Sequence, residues 1–99
     1  MTRDAIAIKK QDNVATALRN LAAGEVAHVG REEESMAVPM VEAVEFGHKF
    51  ALYDISRGTD ILKYGEVIGR ATADIPRGAH AHVHNIESLR GRGDLVQGS

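Results

Sequence analysis

Cysteine is absent from the 99-residue chain, and with it go disulfides, thiol nucleophiles and cysteine-ligated zinc or iron–sulfur centres. Tryptophan is absent too, and two phenylalanines and two tyrosines are the only aromatics, so the core has to be assembled from Val, Ile, Leu, Ala and Met. No apolar run approaches the roughly 20 residues of a membrane span, and the first ten residues hold no stretch of signal-peptide character. The expectation is a cytoplasmic protein with no membrane partner. A cationic excess is also lacking. Twelve Lys and Arg against 14 Asp and Glu leave a net charge of −2 with histidine neutral, which argues against nucleic acid as a partner. At 43 % hydrophobic and 26 % charged, the chain has the composition of one soluble domain with a single modest core.

Glycine, by contrast, is placed with a pattern. A short unit recurs in which an aliphatic residue stands three positions before a glycine and an acidic or polar residue often precedes it. The best copies are Asp54-Ile55-Ser56-Arg57-Gly58 and Asp74-Ile75-Pro76-Arg77-Gly78. Looser ones are Asn20-Leu21-Ala22-Ala23-Gly24 and Ala43-Val44-Glu45-Phe46-Gly47. The aliphatic residue packs inward, the two variable positions turn the chain, and glycine takes a backbone conformation with φ > 0 before a strand begins. The glycines are unevenly spaced, which excludes a regular solenoid.

Several turn–strand units in so short a chain predict a mostly β domain of folded-over hairpins. Strands are expected at Ala5–Lys9, Glu25–Val29, Met36–Val41, His48–Tyr53, Ile61–Tyr64, Glu66–Ala71 and His80–Asn85, with a polar turn over Gly30–Glu34. One short helix is expected over residues 13–21, capped by Asp12 or Asn13, with Val14, Leu18 and Leu21 on one face and Gly24 beyond its end. The folded domain is expected over residues 1–86, and the glycine-rich stretch 87–99 reads as a flexible tail.

The strongest chemical signal is Gly78-Ala79-His80-Ala81-His82-Val83-His84-Asn85. On a strand, alternation puts His80, His82 and His84 on one face and Ala79, Ala81 and Val83 on the buried one. Same-face imidazoles roughly 6–7 Å apart can converge on a metal ion, donate to a carboxylate or move protons near neutral pH. Polar cover of an exposed face, or contact with a neighbouring subunit, is the plainer reading of the same pattern. After Gly47, His48-Lys49 offers a cation beside an imidazole, suited to a carboxylate substrate, although most lysines on strands are simply solvated. No nucleophile elbow, phosphate loop or dinucleotide fingerprint is present.

Taken in order, Asp12-Asn13-Val14-Ala15, Leu21-Ala22-Ala23-Gly24-Glu25, Gly47-His48-Lys49-Phe50-Ala51-Leu52, Ile61–Ala71 with its Lys63-Tyr64-Gly65, and the three alternating histidines resemble the SAF domain of the altronate and galactarate dehydratase family. The resemblance implies a SAF-type β-clip fold and a small subunit working with a separate large dehydratase subunit. It further implies removal of water from a sugar acid to give a 2-keto-3-deoxy acid, with iron(II) or manganese(II) as the divalent metal. On that basis His48 and His82 are the expected catalytic residues, Lys49 and Arg70 the expected carboxylate binders, and His80, His82 and His84 the expected metal ligands. The same pattern resembles the alpha subunit of sulfolactate sulfo-lyase. A non-catalytic module for oligomerisation, including a homo-oligomer, or for substrate capture is the remaining alternative.

Overall fold

The computed structural model describes residues 3–88. Nine strands run in chain order: β1 Ala5–Ala7, β2 Val14–Ala17, β3 Val26–Arg31, β4 Glu34–Pro39, β5 Lys49–Ala51, β6 Asp60–Lys63, β7 Glu66–Ala71, β8 His80–Ala81 and β9 Ile86–Ser88. They form a six-stranded sheet in the order β4-β3-β1-β2-β5-β8 and a three-stranded sheet in the order β6-β7-β9. All pairings are antiparallel except β1 with β3. The architecture is mostly β, as expected of a SAF-type β-clip, and no helix is present among the described residues.

The glycine units are the organising device of this fold. Four of them carry glycines with φ between +83° and +93°: Gly24, Gly47, Gly58 and Gly78. Each unit is locked to one other. Leu21 and Val44 exchange both backbone hydrogen bonds, and so do Ile55 and Ile75. The flanks repeat the exchange. Arg57 donates its N–H to the Asp74 carboxylate while Arg77 donates its own to Asp54, and Phe46 donates likewise to Asn20. Ala43 stands where the fourth acceptor would be, so that pair has one such bond instead of two. Each of these four glycine N–H groups in turn reaches a carbonyl at or just past the end of the strand that leads into the partner unit: Met40, Ala17, Ala71 and Ala51. Each pair is therefore a local pseudo-twofold.

Two cores sit on these pairs. Leu21, Val44, Phe50 and Leu52 centre the first. Val14, Ile55, Ile61 and Ile75 centre the second, which joins the two sheets. Each such side chain contributes about 1.5–3 kcal/mol on leaving water.

The glycines differ in what surrounds them, and this gives a test. A Cβ at Gly24 (φ +93°) would meet nothing within 4 Å, whereas one at Gly78 (φ +83°) would strike the Pro39 carbonyl. Gly24→Ala is expected to cost only the left-handed strain, about 1 kcal/mol. Gly78→Ala adds a backbone clash and is expected to cost at least twice as much, read as the difference in urea midpoints.

Two expectations are corrected. The helix over 13–21 is replaced by β2 at Val14–Ala17 and a turn. Val14, Ala15 and Ala17 are all buried between β1 and β5, so the segment is covered on both sides instead of along one helical stripe, and Leu18 is left exposed. Asp12 caps nothing helical. Its carboxylate accepts N–H bonds from Ile8, Lys9, Tyr64 and Gly65.

The strand expected over His80–Asn85 stops at Ala81. Asn85 ends it: its amide donates to the His80 carbonyl, its side-chain oxygen accepts the His82 N–H, and its own N–H returns to the His82 carbonyl. These local bonds outcompete the ladder, and Val83 is left 81 % exposed at the turn, not buried. Beyond the expected domain end at 86, Glu87 and Ser88 pair with β7 in β9. Residues 89–99 of the expected tail lie outside the described residues.

Candidate functional site

Three histidines meet where the two pseudo-twofold pairs approach each other. His48 leaves the Gly47 turn, its carbonyl accepting the Ala17 N–H. His80 opens β8 opposite Phe50, with its N–H held by the Glu42 carboxylate at 2.8 Å. His82 sits in the Asn85-closed turn. The His48 and His82 rings stack with centroids 4.0 Å apart and planes 10° from parallel. His48 Nδ1 lies 3.0 Å from His80 Nε2. One ligand atom from each of the three lies within 4.8 Å of the others. His84, exposed, tilts against His80 with ring centroids 4.9 Å apart and is not one of these three.

Burial first, then the neighbouring imidazoles, push the His80 and His82 pKa values below the ordinary histidine range, against the opposing pull of Glu42 and Glu45 on His80. The shifts favour the neutral rings, and at the 3.0 Å contact between His48 Nδ1 and His80 Nε2 one nitrogen donates to the other, as the tautomers dictate. His82 Nδ1 is buried and has no hydrogen-bond partner. A buried imidazole nitrogen left unpaired is costly unless something binds it.

The donor set fits a divalent metal. Two nitrogens each about 2.1 Å from a shared ion and at right angles stand about 3.0 Å apart, the separation observed for His48 and His80. Imidazole suits iron(II) well, while manganese(II) favours oxygen ligands. Glu45, with a carboxylate oxygen 3.8 Å from His48 Nε2, stands beside the trio.

Lys49 follows His48 as the first residue of β5 and is half-buried. Burial, then the charge of Lys63, push its pKa below the ordinary lysine value, and Lys49 in turn acts on His82. Arg70 is placed elsewhere: it is exposed on β7 of the smaller sheet, between cross-strand neighbours Asp60 and Glu87. Glu42 and Asn85, which hold His80 and His82 in position, were not visible as site residues in the sequence. Asn85 is the more recoverable, since Asn after a polar run is a turn signal.

A mostly β domain that brings three histidines together is suited to binding a ligand or a metal ion. The comparisons identify the family. The model of the altronate/galactarate dehydratase SAF domain matches residues 3–89, and the chain belongs to that family. It is 46 % identical over 83 residues to an altronate dehydratase of Escherichia coli and 41 % identical over 83 residues to that of Bacillus subtilis. Each match covers 84 % of this chain and 16 % of the relative, so the chain spans about a sixth of the length of those enzymes. It is also 32 % identical over 59 residues to a (2R)-sulfolactate sulfo-lyase subunit alpha of Chromohalobacter salexigens, a match over 60 % of this chain and 63 % of that subunit.

Proposed function

We propose that this chain is the small, histidine-bearing subunit of a sugar-acid dehydratase and completes an active site on a separate large subunit. The observation that carries the reading is the convergence of His48, His80 and His82 in a chain of the altronate/galactarate dehydratase SAF family. The surroundings support a docked partner, because Phe46 and Val83, at 66 % and 81 % exposure, flank the histidines as uncovered apolar surface. A domain of this size does not itself enclose a six-carbon acid.

The reaction removes the proton beside the carboxylate and expels hydroxide from the next carbon, and the enol formed tautomerises to the keto acid. His48, His80 and His82 would hold a divalent cation, iron(II) before manganese(II), which when bound would supply Lewis-acid chemistry to the substrate. Lys49 pairs with the carboxylate from a partly desolvated position, where its charge counts for more than in water. The three imidazoles stand on a fixed scaffold, so little reorganisation is needed on binding. Elimination of sulfite from a sulfolactate-like acid is the second reading. It is favoured by the sulfo-lyase alpha subunit, of which the match covers a far larger share than of the dehydratases.

The test is reconstitution with a large subunit of the altronate/galactarate dehydratase type. Mixing the two is expected to release keto acid from altronate or galactarate, with little from either alone. Sulfite release from sulfolactate in place of keto acid would select the second reading. Full turnover by the large subunit alone would remove both.

A further inference from the structure

The four glycine units share a feature that bears on the histidines. In each, the residue after the glycine donates its N–H to the carbonyl three positions back: Glu25 to Ala22, His48 to Glu45, Thr59 to Ser56 and Ala79 to Pro76, at 2.9–3.3 Å. The bond closes a turn with a left-handed glycine at its third position, so the first and fourth side chains start close together. Of those four pairs, Glu45 with His48 is the one that sets a carboxylate beside an imidazole. Glu45 Oε1 lies 3.8 Å from His48 Nε2. The carboxylate has no other hydrogen bond or ion pair among the described residues.

The two edges of the His48 ring thus face different partners. Nδ1 meets His80 Nε2 at 3.0 Å, and Nε2 is the atom turned towards Glu45. A neutral imidazole carries one proton, so an acceptor at one nitrogen draws the proton there and frees the lone pair at the other. The contact between the rings is compatible with either direction of donation. Glu45 decides between them. Its side chain is 81 % exposed, so a rotation in water brings the 3.8 Å gap to hydrogen-bond distance. We infer that Glu45 is a positioning residue: it accepts the His48 Nε2–H, fixes that tautomer, and directs the Nδ1 lone pair at His80 and at a cation shared between them. A carboxylate behind the ring is a common way of orienting a metal-binding histidine. Glu45 itself stays outside the ligand set, since it is not among the three residues whose ligand atoms converge. In the metal-free chain the bond between the rings runs from His80 Nε2–H to His48 Nδ1. The inference rests on the trio being the working site, as proposed above, and not on which acid is processed.

The test uses the full chain with nitrogen-15-labelled histidine, metal-free, at about pH 8, above the ordinary histidine range. Long-range proton–nitrogen correlation is expected to show the His48 proton on Nε2. In Glu45→Ala that preference is lost, and manganese(II) binds about tenfold more weakly, the size of effect that loss of an orienting carboxylate has on a metal site. Glu45→Gln keeps an oxygen that accepts the N–H, so it is expected to retain the tautomer and lose less than about threefold in affinity. Glu66→Ala, which removes the same charge from the exposed start of β7, changes neither reading. The urea midpoint of Glu45→Ala should match wild type, because the Glu45 carbonyl, not its carboxylate, closes the turn. A wild-type His48 protonated on Nδ1, an unaltered tautomer in Glu45→Ala, or Glu45→Gln as weak as Glu45→Ala would overturn the inference. Absence of saturable manganese(II) binding to wild type, with the tautomer still dependent on Glu45, would instead count against the metal reading alone.

Discussion

Replacing His48 by alanine lowers kcat of the reconstituted complex by at least about a hundredfold, within the range lost when a positioned acid–base or ligand imidazole is removed. Its ring meets both remaining members of the trio: Nδ1 lies against His80 Nε2 and the ring stacks on His82. The complex stays assembled on size exclusion, because the His48 backbone, not its ring, makes the bond to Ala17. His82→Ala has a comparable effect, since it deletes the buried nitrogen that lacks a protein partner. His84→Ala, exposed and outside the converged set, is expected to change kcat by less than about threefold. Equal losses at His48 and His84 would mean that the ring geometry is not what the reaction uses.

Asp12→Ala is expected to be the most damaging change to stability, at about 4 kcal/mol. Asp12 is fully buried, and its carboxylate satisfies four backbone N–H groups. Each buried donor stranded by the substitution costs about 1 kcal/mol or more. Domains of this kind have only about 5–15 kcal/mol in total. Asp12→Asn keeps one carbonyl oxygen and loses about half as much. Burial pushes the Asp12 pKa up, but the donors from Gly65, Lys9, Ile8 and Tyr64 outweigh it and hold it below the ordinary aspartate value. The sign follows. The folded-state pKa is depressed, so this stabilisation is complete above the unfolded value of about 3.9 and is lost as pH falls through the lower folded value. Urea unfolding of wild type should therefore weaken steeply below about pH 4, and the Asp12→Asn chain should lack most of that slope.

How much of this was legible in the sequence depended on whether the cause was local. The glycine units were visible because a turn with φ > 0 imposes its chemistry within a few residues: Ile55 to Gly58 and Ile75 to Gly78 carry the same spacing. Their reciprocal pairing was not, since Ile55 meets Ile75 through a twofold that no local pattern encodes. The segment after Asp12 was misread because Asp and Asn serve helix caps and turn clamps by the same hydrogen-bonding ability. Only the location of β6 decides between those roles. The His/Ala alternation after Gly78 matched the strand period, yet Asn85 folds the chain back after two strand residues. His48, read from its place after a glycine, stands with His80 and His82, whereas His84 leans on His80 from outside the trio.

The most direct measurement is a titration of the full chain, carrying labelled histidine side chains, with manganese(II) as a paramagnetic probe. If His48, His80 and His82 act as one site, their ring resonances broaden together at substoichiometric metal, ahead of those of His28 and His84. Broadening that begins at the acidic Glu32–Glu34 turn and leaves the three rings sharp would contradict the account.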